Sequence, residues 1–143
     1  NYDVDSWVIG LGAEVKFGAA YLAGNVYTGE NLGAYGVKTA SDADPVVSGT
    51  TLLDNSGFGF IFLGGYKFND MVTVEAGYGY EESELDNTAQ EDDSTSYYIQ
   101  TRLTLAPGVY ITPEIGIADH GQDRNGMEEE ETIYYGCKWQ ISF

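Results

Sequence analysis

Hydrophobic and polar residues alternate along most of this chain with a period of two, the spacing that sends successive side chains to opposite faces of a β-strand. The final ten residues show it most clearly: Tyr135, Cys137, Trp139, Ile141 and Phe143 fall on one face, and Tyr134, Gly136, Lys138, Gln140 and Ser142 on the other. Residues 6–17 behave the same way, with Trp7, Ile9, Leu11, Ala13, Val15 and Phe17 opposite Gly10, Gly12, Glu14 and Lys16. Five further stretches, at 20–28, 57–68, 71–80, 95–105 and 109–118, each carry one apolar wall, marked by Leu22, Phe60, Val74, Ile99 and Ile111 in turn. The pattern predicts seven antiparallel strands and an all-β chain. One stretch is less clean, because Ile61 and Leu63 add apolar side chains to the second face of 57–68. A loop folded over them would suit that pair, and 29–55 is the longest segment available.

The connections sort into two kinds. Those at 18–19, 69–70 and 106–108 are short, whereas those at 29–55, 81–94 and 119–131 are long and hold most of the acids. Short turns at one end and long loops at the other are the habit of outer-membrane barrels, and a soluble sandwich has no reason to segregate them. The terminal strand, with Tyr135, Trp139, Ile141 and a closing Phe143 on one face, resembles the C-terminal strand of bacterial outer-membrane β-barrels, the segment read by that family's assembly machinery. The resemblance implies an antiparallel transmembrane β-barrel with short periplasmic turns and long acidic extracellular loops, located in the bacterial outer membrane. It also implies a lipid bilayer, lipopolysaccharide and the barrel assembly machinery as partners, and no nucleic acid. Bacterial single-chain barrels have an even number of strands. Seven visible strands therefore suggest the C-terminal part of a larger barrel, beginning inside an extracellular loop. An additional strand hidden at 45–53 would instead close a small eight-stranded barrel with a structural or adhesive role.

Composition narrows the classes further. The 143 residues include 19 Gly, 12 Tyr and 6 Phe, yet mean hydropathy is only -0.25. A helical membrane protein needs runs of roughly 20 apolar residues, and none exists here. A barrel hides its apolar residues at every second position. A lipocalin-like soluble barrel would leave Trp7, Phe58, Phe60, Val74, Ile99, Leu103 and Trp139 exposed as a belt larger than a soluble monomer tolerates. Aromatics fall in two bands, Phe17, Tyr66, Phe68 and Phe143 near short turns and Trp7, Phe58, Tyr78, Tyr80 and Tyr97 near long loops, as membrane-interface girdles do. The single cysteine, Cys137, excludes an internal disulfide.

Charge brings in function. The formal net charge is -17, but Lys16, Lys67, Arg102 and Lys138 share the non-lipid faces with Glu14, Glu75 and Glu114. These seven are the expected pore lining, a nearly neutral wall below an acidic rim. That arrangement is similar to porins, a resemblance that implies passive diffusion of small hydrophilic solutes and a homotrimer. The small outward residues Ala13, Ala20, Gly24 and Gly64 would permit close approach of protomers. The same charges could instead pair with one another and plug a narrow barrel. No cofactor is expected; Ca2+ or other divalent ions at the acidic loops would bridge a solvated surface to lipopolysaccharide, since no EF-hand spacing is present. Asp119-His120 resembles weakly the Asp and His pair of omptin proteases, but neighbours in a strand point to opposite faces, and the chain is read as a non-enzyme.

Overall fold

All seven alternating stretches lie in one sheet in a computed structural model, which describes residues 3–35, 44–88, 91–123 and 125–142. In chain order the strands are β1 (Trp7–Phe17), β2 (Ala20–Glu30), β3 (Val46–Ser48), β4 (Thr51–Leu53), β5 (Asn55–Lys67), β6 (Val72–Leu85), β7 (Glu91–Ala106), β8 (Val109–Asp119) and β9 (Thr132–Ile141), with one turn of 3-10 helix at Leu32–Tyr35. The main sheet runs β1-β2-β5-β6-β7-β8-β9, every neighbour antiparallel. Each strand thus pairs with the next long one in sequence, a plain up-and-down meander. Phe143 lies outside the described residues.

Two expectations need correction. The segment 81–94, expected as a loop, is mostly hairpin, because β6 continues to Leu85 and β7 starts at Glu91. Apolar alternation stops at Tyr80, but ladder hydrogen bonds need only backbone, so the pairing carries on above it. The expected extra strand at 45–53 is in fact two short strands, β3 and β4, paired Val46↔Leu53 to Ser48↔Thr51 and separate from the main sheet. Gly49, with φ of 63°, supplies the left-handed backbone that folds this segment on itself. The sheet therefore does not close as an eight-stranded barrel: β1 and β9 remain its two edges.

The sheet curls. Side chains from all seven strands, from Glu14 on β1 to Lys138 on β9, line one open trough of about 650 Å³. The opposite wall is apolar and bare. A register row crosses it as Val15, Leu22, Gly64, Ala76, Ile99, Ile115 and Tyr135, and Leu11 and Trp139 are 75% and 71% exposed. Among the described residues the only buried hydrophobic side chains are Leu32 and Leu85. The sheet has no inward core, so its apolar surface is matched to lipid rather than to itself. From Val72 to Tyr80 the outward residues of β6 stay apolar, nine residues in all, which agrees with the roughly 9–11 needed to span a bilayer. Above Tyr80 the outward positions become Glu82 and Glu84, set opposite Asp93 and Glu91. Like charges facing each other across strands repel, which places this part of the hairpin in water. Clustered rings mark both borders: Phe60 lies 5.3 Å from Phe62 and 5.8 Å from Tyr80, and Tyr66 lies 4.9 Å from Phe68.

Glycines on the trough wall have a specific packing partner. Tyr27 pairs with Gly59, Tyr21 with Gly65, Tyr98 with Gly77 and Tyr134 with Gly116. At all four glycines the tyrosine ring occupies the space where a Cβ would stand. Each ring lies across the neighbouring strand instead of standing into the trough, which keeps the wall thin and fixes the register. At the loop end Leu32 is tucked over Gly29 and Gly57, paired residues of β2 and β5. Asn31, with φ of 52°, makes this turn. Its side-chain amide donates to the Asp5 carbonyl at 2.7 Å and Asp54 Oδ1 at 2.8 Å, while its Oδ1 accepts the Asn55 N–H at 3.0 Å. Leu32 thus anchors the start of the long loop on the trough side of the rim.

Gly65→Val would drive the Tyr21 ring off the wall, so destabilisation of about 1–3 kcal/mol is expected, the usual range for overpacking. Gly136→Ala, where a Cβ meets nothing within 4 Å, is expected to stay within about 0.5 kcal/mol of the parent. Urea unfolding from lipid vesicles, followed through Trp7 and Trp139 fluorescence, would compare them; equal midpoints would refute the ring-on-glycine interlock.

Candidate functional site

The trough wall is built in register rows. Nearest the short turns, Lys67 pairs with Thr73, Thr73 with Arg102, and Thr112 with Lys138. The flanking pairs Gln100↔Glu114 and Leu103↔Ile111 set Arg102 opposite Thr112 and complete this row. One step toward the loops the row reads Lys16, Tyr21, Gly65, Glu75, Gln100, Glu114 and Gly136. The next reads Glu14, Ala23, Leu63, Gly77, Tyr98, Gly116 and Tyr134. Higher still, Glu81 and Asp92 face the same way. All four described basic residues thus lie in two adjacent rows toward the turn end, with Glu14, Glu75 and Glu114 beside and above them.

The seven residues expected to line a pore all lie on this wall, and all but Glu114 border the trough itself. Their partners differ. Lys16 Nζ stands 2.8 Å from Glu14 Oε1. Lys67 reaches down to the turn, where its Nζ donates to Asp70 Oδ1 at 2.7 Å; that hydrogen bond, and then the charge behind it, holds the Asp70 carboxyl below its ordinary value. Among the described residues Glu75 has no basic partner. Its Oε2 accepts from the Tyr21 hydroxyl at 2.5 Å, and its Oε1 accepts from the Tyr98 hydroxyl at 2.8 Å and Gln100 Nε2 at 2.6 Å. Three donors from β2 and β7 therefore hold one carboxylate on β6. Arg102 lies over the Tyr110 ring, with its guanidinium carbon 3.8 Å from the centroid. Both described ion pairs join near neighbours in sequence, and neither crosses the trough.

Sequence reading did not single out Tyr21, Tyr98, Gln100, Tyr110 or Thr112. Their inward parity was visible, but which carboxylate or guanidinium each meets depends on register. Of the expected assembly signal, Tyr135, Trp139 and Ile141 stand exposed on the outward face of β9. Ile61 and Leu63, whose position suggested an overlying loop, face the trough side of β5, and Leu63 borders the trough. Asp119 Oδ1 accepts the Gly121 N–H at 3.1 Å, a local turn contact rather than a contact to His120. Among the described residues no three His, Cys, Asp or Glu side chains come together to hold a metal ion.

No family model matches the chain, and no curated protein matches it. Among solved structures it is similar to OmpT, an outer membrane protein of Vibrio cholerae: to the in-vitro folded trimer form with TM-score 0.67, 18% identity, and coverage of 95% of this chain and 41% of that one. The form expressed in the outer membrane gives TM-score 0.66 at 18% identity with the same coverages. A further in-vitro folded structure gives 0.68 at 18%, covering 95% of this chain and 40% of that one. The chain thus spans about two-fifths of the length of the structures it matches. At this identity the likeness shows the fold: the curled meander with its apolar outer wall has the fold seen in bacterial outer-membrane β-barrels.

Proposed function

We propose that this chain is part of an outer-membrane porin, a passive diffusion channel for small hydrophilic solutes and ions, with no enzymatic role. The observation that carries the reading is the open trough wall: its ion pairs are made along one strand or within one hairpin, Glu14–Lys16 and Lys67–Asp70, so no pair among the described residues bridges the lumen. A barrel plugged by its own charges needs such bridges. A lumen wide enough for solutes needs about 16 strands, whereas eight are filled by their own side chains. In this reading further strands of the same protein continue the meander from the β1 and β9 edges, in keeping with the two-fifths span of the matched chains. The inner wall supplies Glu14, Lys16, Lys67, Glu75, Arg102, Glu114 and Lys138 as lining, and the acidic hairpins form the outer mouth. A homotrimer fits the small outward residues Ala13, Ala20, Gly24 and Gly64. Tyr135, Trp139 and Ile141, with Phe143, are the residues offered to the assembly machinery, and the rim carboxylates meet lipopolysaccharide through divalent ions.

Planar-bilayer recording of the full-length protein under a salt gradient tests this directly. Large stepwise openings are expected, and Arg102→Gln with Lys138→Gln is expected to move the reversal potential toward cation selectivity. A silent bilayer would favour the closed structural barrel, and openings with unaltered selectivity would take this wall out of the conduction path.

A further inference from the structure

The two bases that lack a carboxylate partner are neighbours. Lys16 and Lys67 are matched by Glu14 and Asp70, whereas Arg102 and Lys138 make no ion pair among the described residues. They stand two strands apart, about 10 Å at the usual strand spacing, with Thr112 of β8 between them. Long side chains span that gap easily, and Gln140, one step further toward the turn, borders the same trough. The Arg102 guanidinium carbon lies 3.8 Å from the centroid of the Tyr110 ring, a cation–π contact that holds the charged end against the wall. The guanidinium carries five N–H donors.

We propose that Arg102, Thr112, Lys138 and Gln140 form an oxyanion-binding patch at the turn end of the trough, taking solutes that carry a phosphate, sulfate or carboxylate group. The inference deepens the channel reading and rests on it, since it names the class of solute that dwells on this wall. Two cations, a hydroxyl and a carboxamide are complementary to a tetrahedral or planar oxyanion, the guanidinium in bidentate fashion. The nearest carboxylates do not cancel the patch. Glu75 and Glu114 lie one row away, about 7 Å along the strands. Glu75 is already held by Tyr21, Tyr98 and Gln100. The acidic rim is farther still: Glu81 is eight residues beyond Thr73 on β6, about 26 Å along the strand. That exceeds two Debye lengths at physiological ionic strength. An anion approaching from the turn side meets this patch before any rim carboxylate.

The test is isothermal titration of inorganic phosphate into the full-length protein folded in detergent micelles at low ionic strength. Saturable binding is expected, weakened at least tenfold in R102Q/K138Q and by a smaller factor in K138Q alone, with heat-modifiable gel mobility verifying that each variant is folded. Binding is also expected to weaken as KCl is raised. Absence of saturable heat in the parent protein, or equal affinity in parent and folded variants, would overturn the patch. Bilayer recording separates this from the channel reading: phosphate added on the turn side is expected to reduce open-channel current. A silent protein that still binds phosphate through Arg102 and Lys138 would keep the patch and reject the channel, and a conducting protein whose affinity ignores both residues would do the reverse.

Discussion

Inside a bilayer an unpaired backbone N–H or C=O has no water to turn to, and each one costs several kcal/mol. That single constraint organises this chain. A meander in which each long strand pairs with the next satisfies every interior strand locally, and the tight turns at Gly18 and Gly108, both with positive φ, reverse the chain at the end of the sheet within a few residues. It also makes β1 and β9 the strained members, since each is paired on one side only and exposed on both faces. Those edges need strand partners in lipid.

Once the backbone is satisfied, the side chains follow from which phase each face meets. Outward residues of β6 are apolar from Val72 to Tyr80 because lipid solvates them as well as a protein core would. Inward residues are freed from that rule. The trough wall is therefore where charge is tolerated, and it is held in place by tyrosines laid over glycines, not by a packed core. The Glu75 network illustrates the gain: phenols from β2 and β7 reach it because Gly65 and Gly77 leave their rings room to lie flat. Any side chain at those glycines would push the ring into the lumen and release the carboxylate.

Much of this was legible in the sequence, because a period of two is a direct record of two faces. The seven strands and the face of each charged residue can be read from residues such as Leu11, Phe60 and Lys138 alone. Strand ends at the loop side cannot. The apolar signal ends with Tyr80 where the membrane ends, whereas the hydrogen-bond ladder continues through Glu81–Leu85, so hydropathy marks the bilayer boundary and not the strand boundary. The apolar run around Val46–Leu53 reads as one strand, and only the left-handed backbone at Gly49 shows that it turns on itself. Partner identity was equally hidden: Lys67 is in register with Thr73 yet bonds Asp70 in the turn, a choice set by side-chain reach.

Register adds a further consequence, a direction along the barrel axis. Because neighbouring strands run antiparallel with fixed pairing, residues far apart in sequence fall into level rows, and bases at 16, 67, 102 and 138 are gathered at one end although nothing in their spacing announces it. Apart from Asp70 in the turn beside Lys67, carboxylates occupy the middle and the opposite rim. At ionic strengths where fields decay over about 8–10 Å, the two ends act separately on any charge placed beside the wall. The sheet's inner wall is thus electrostatically polar from end to end while close to neutral in sum.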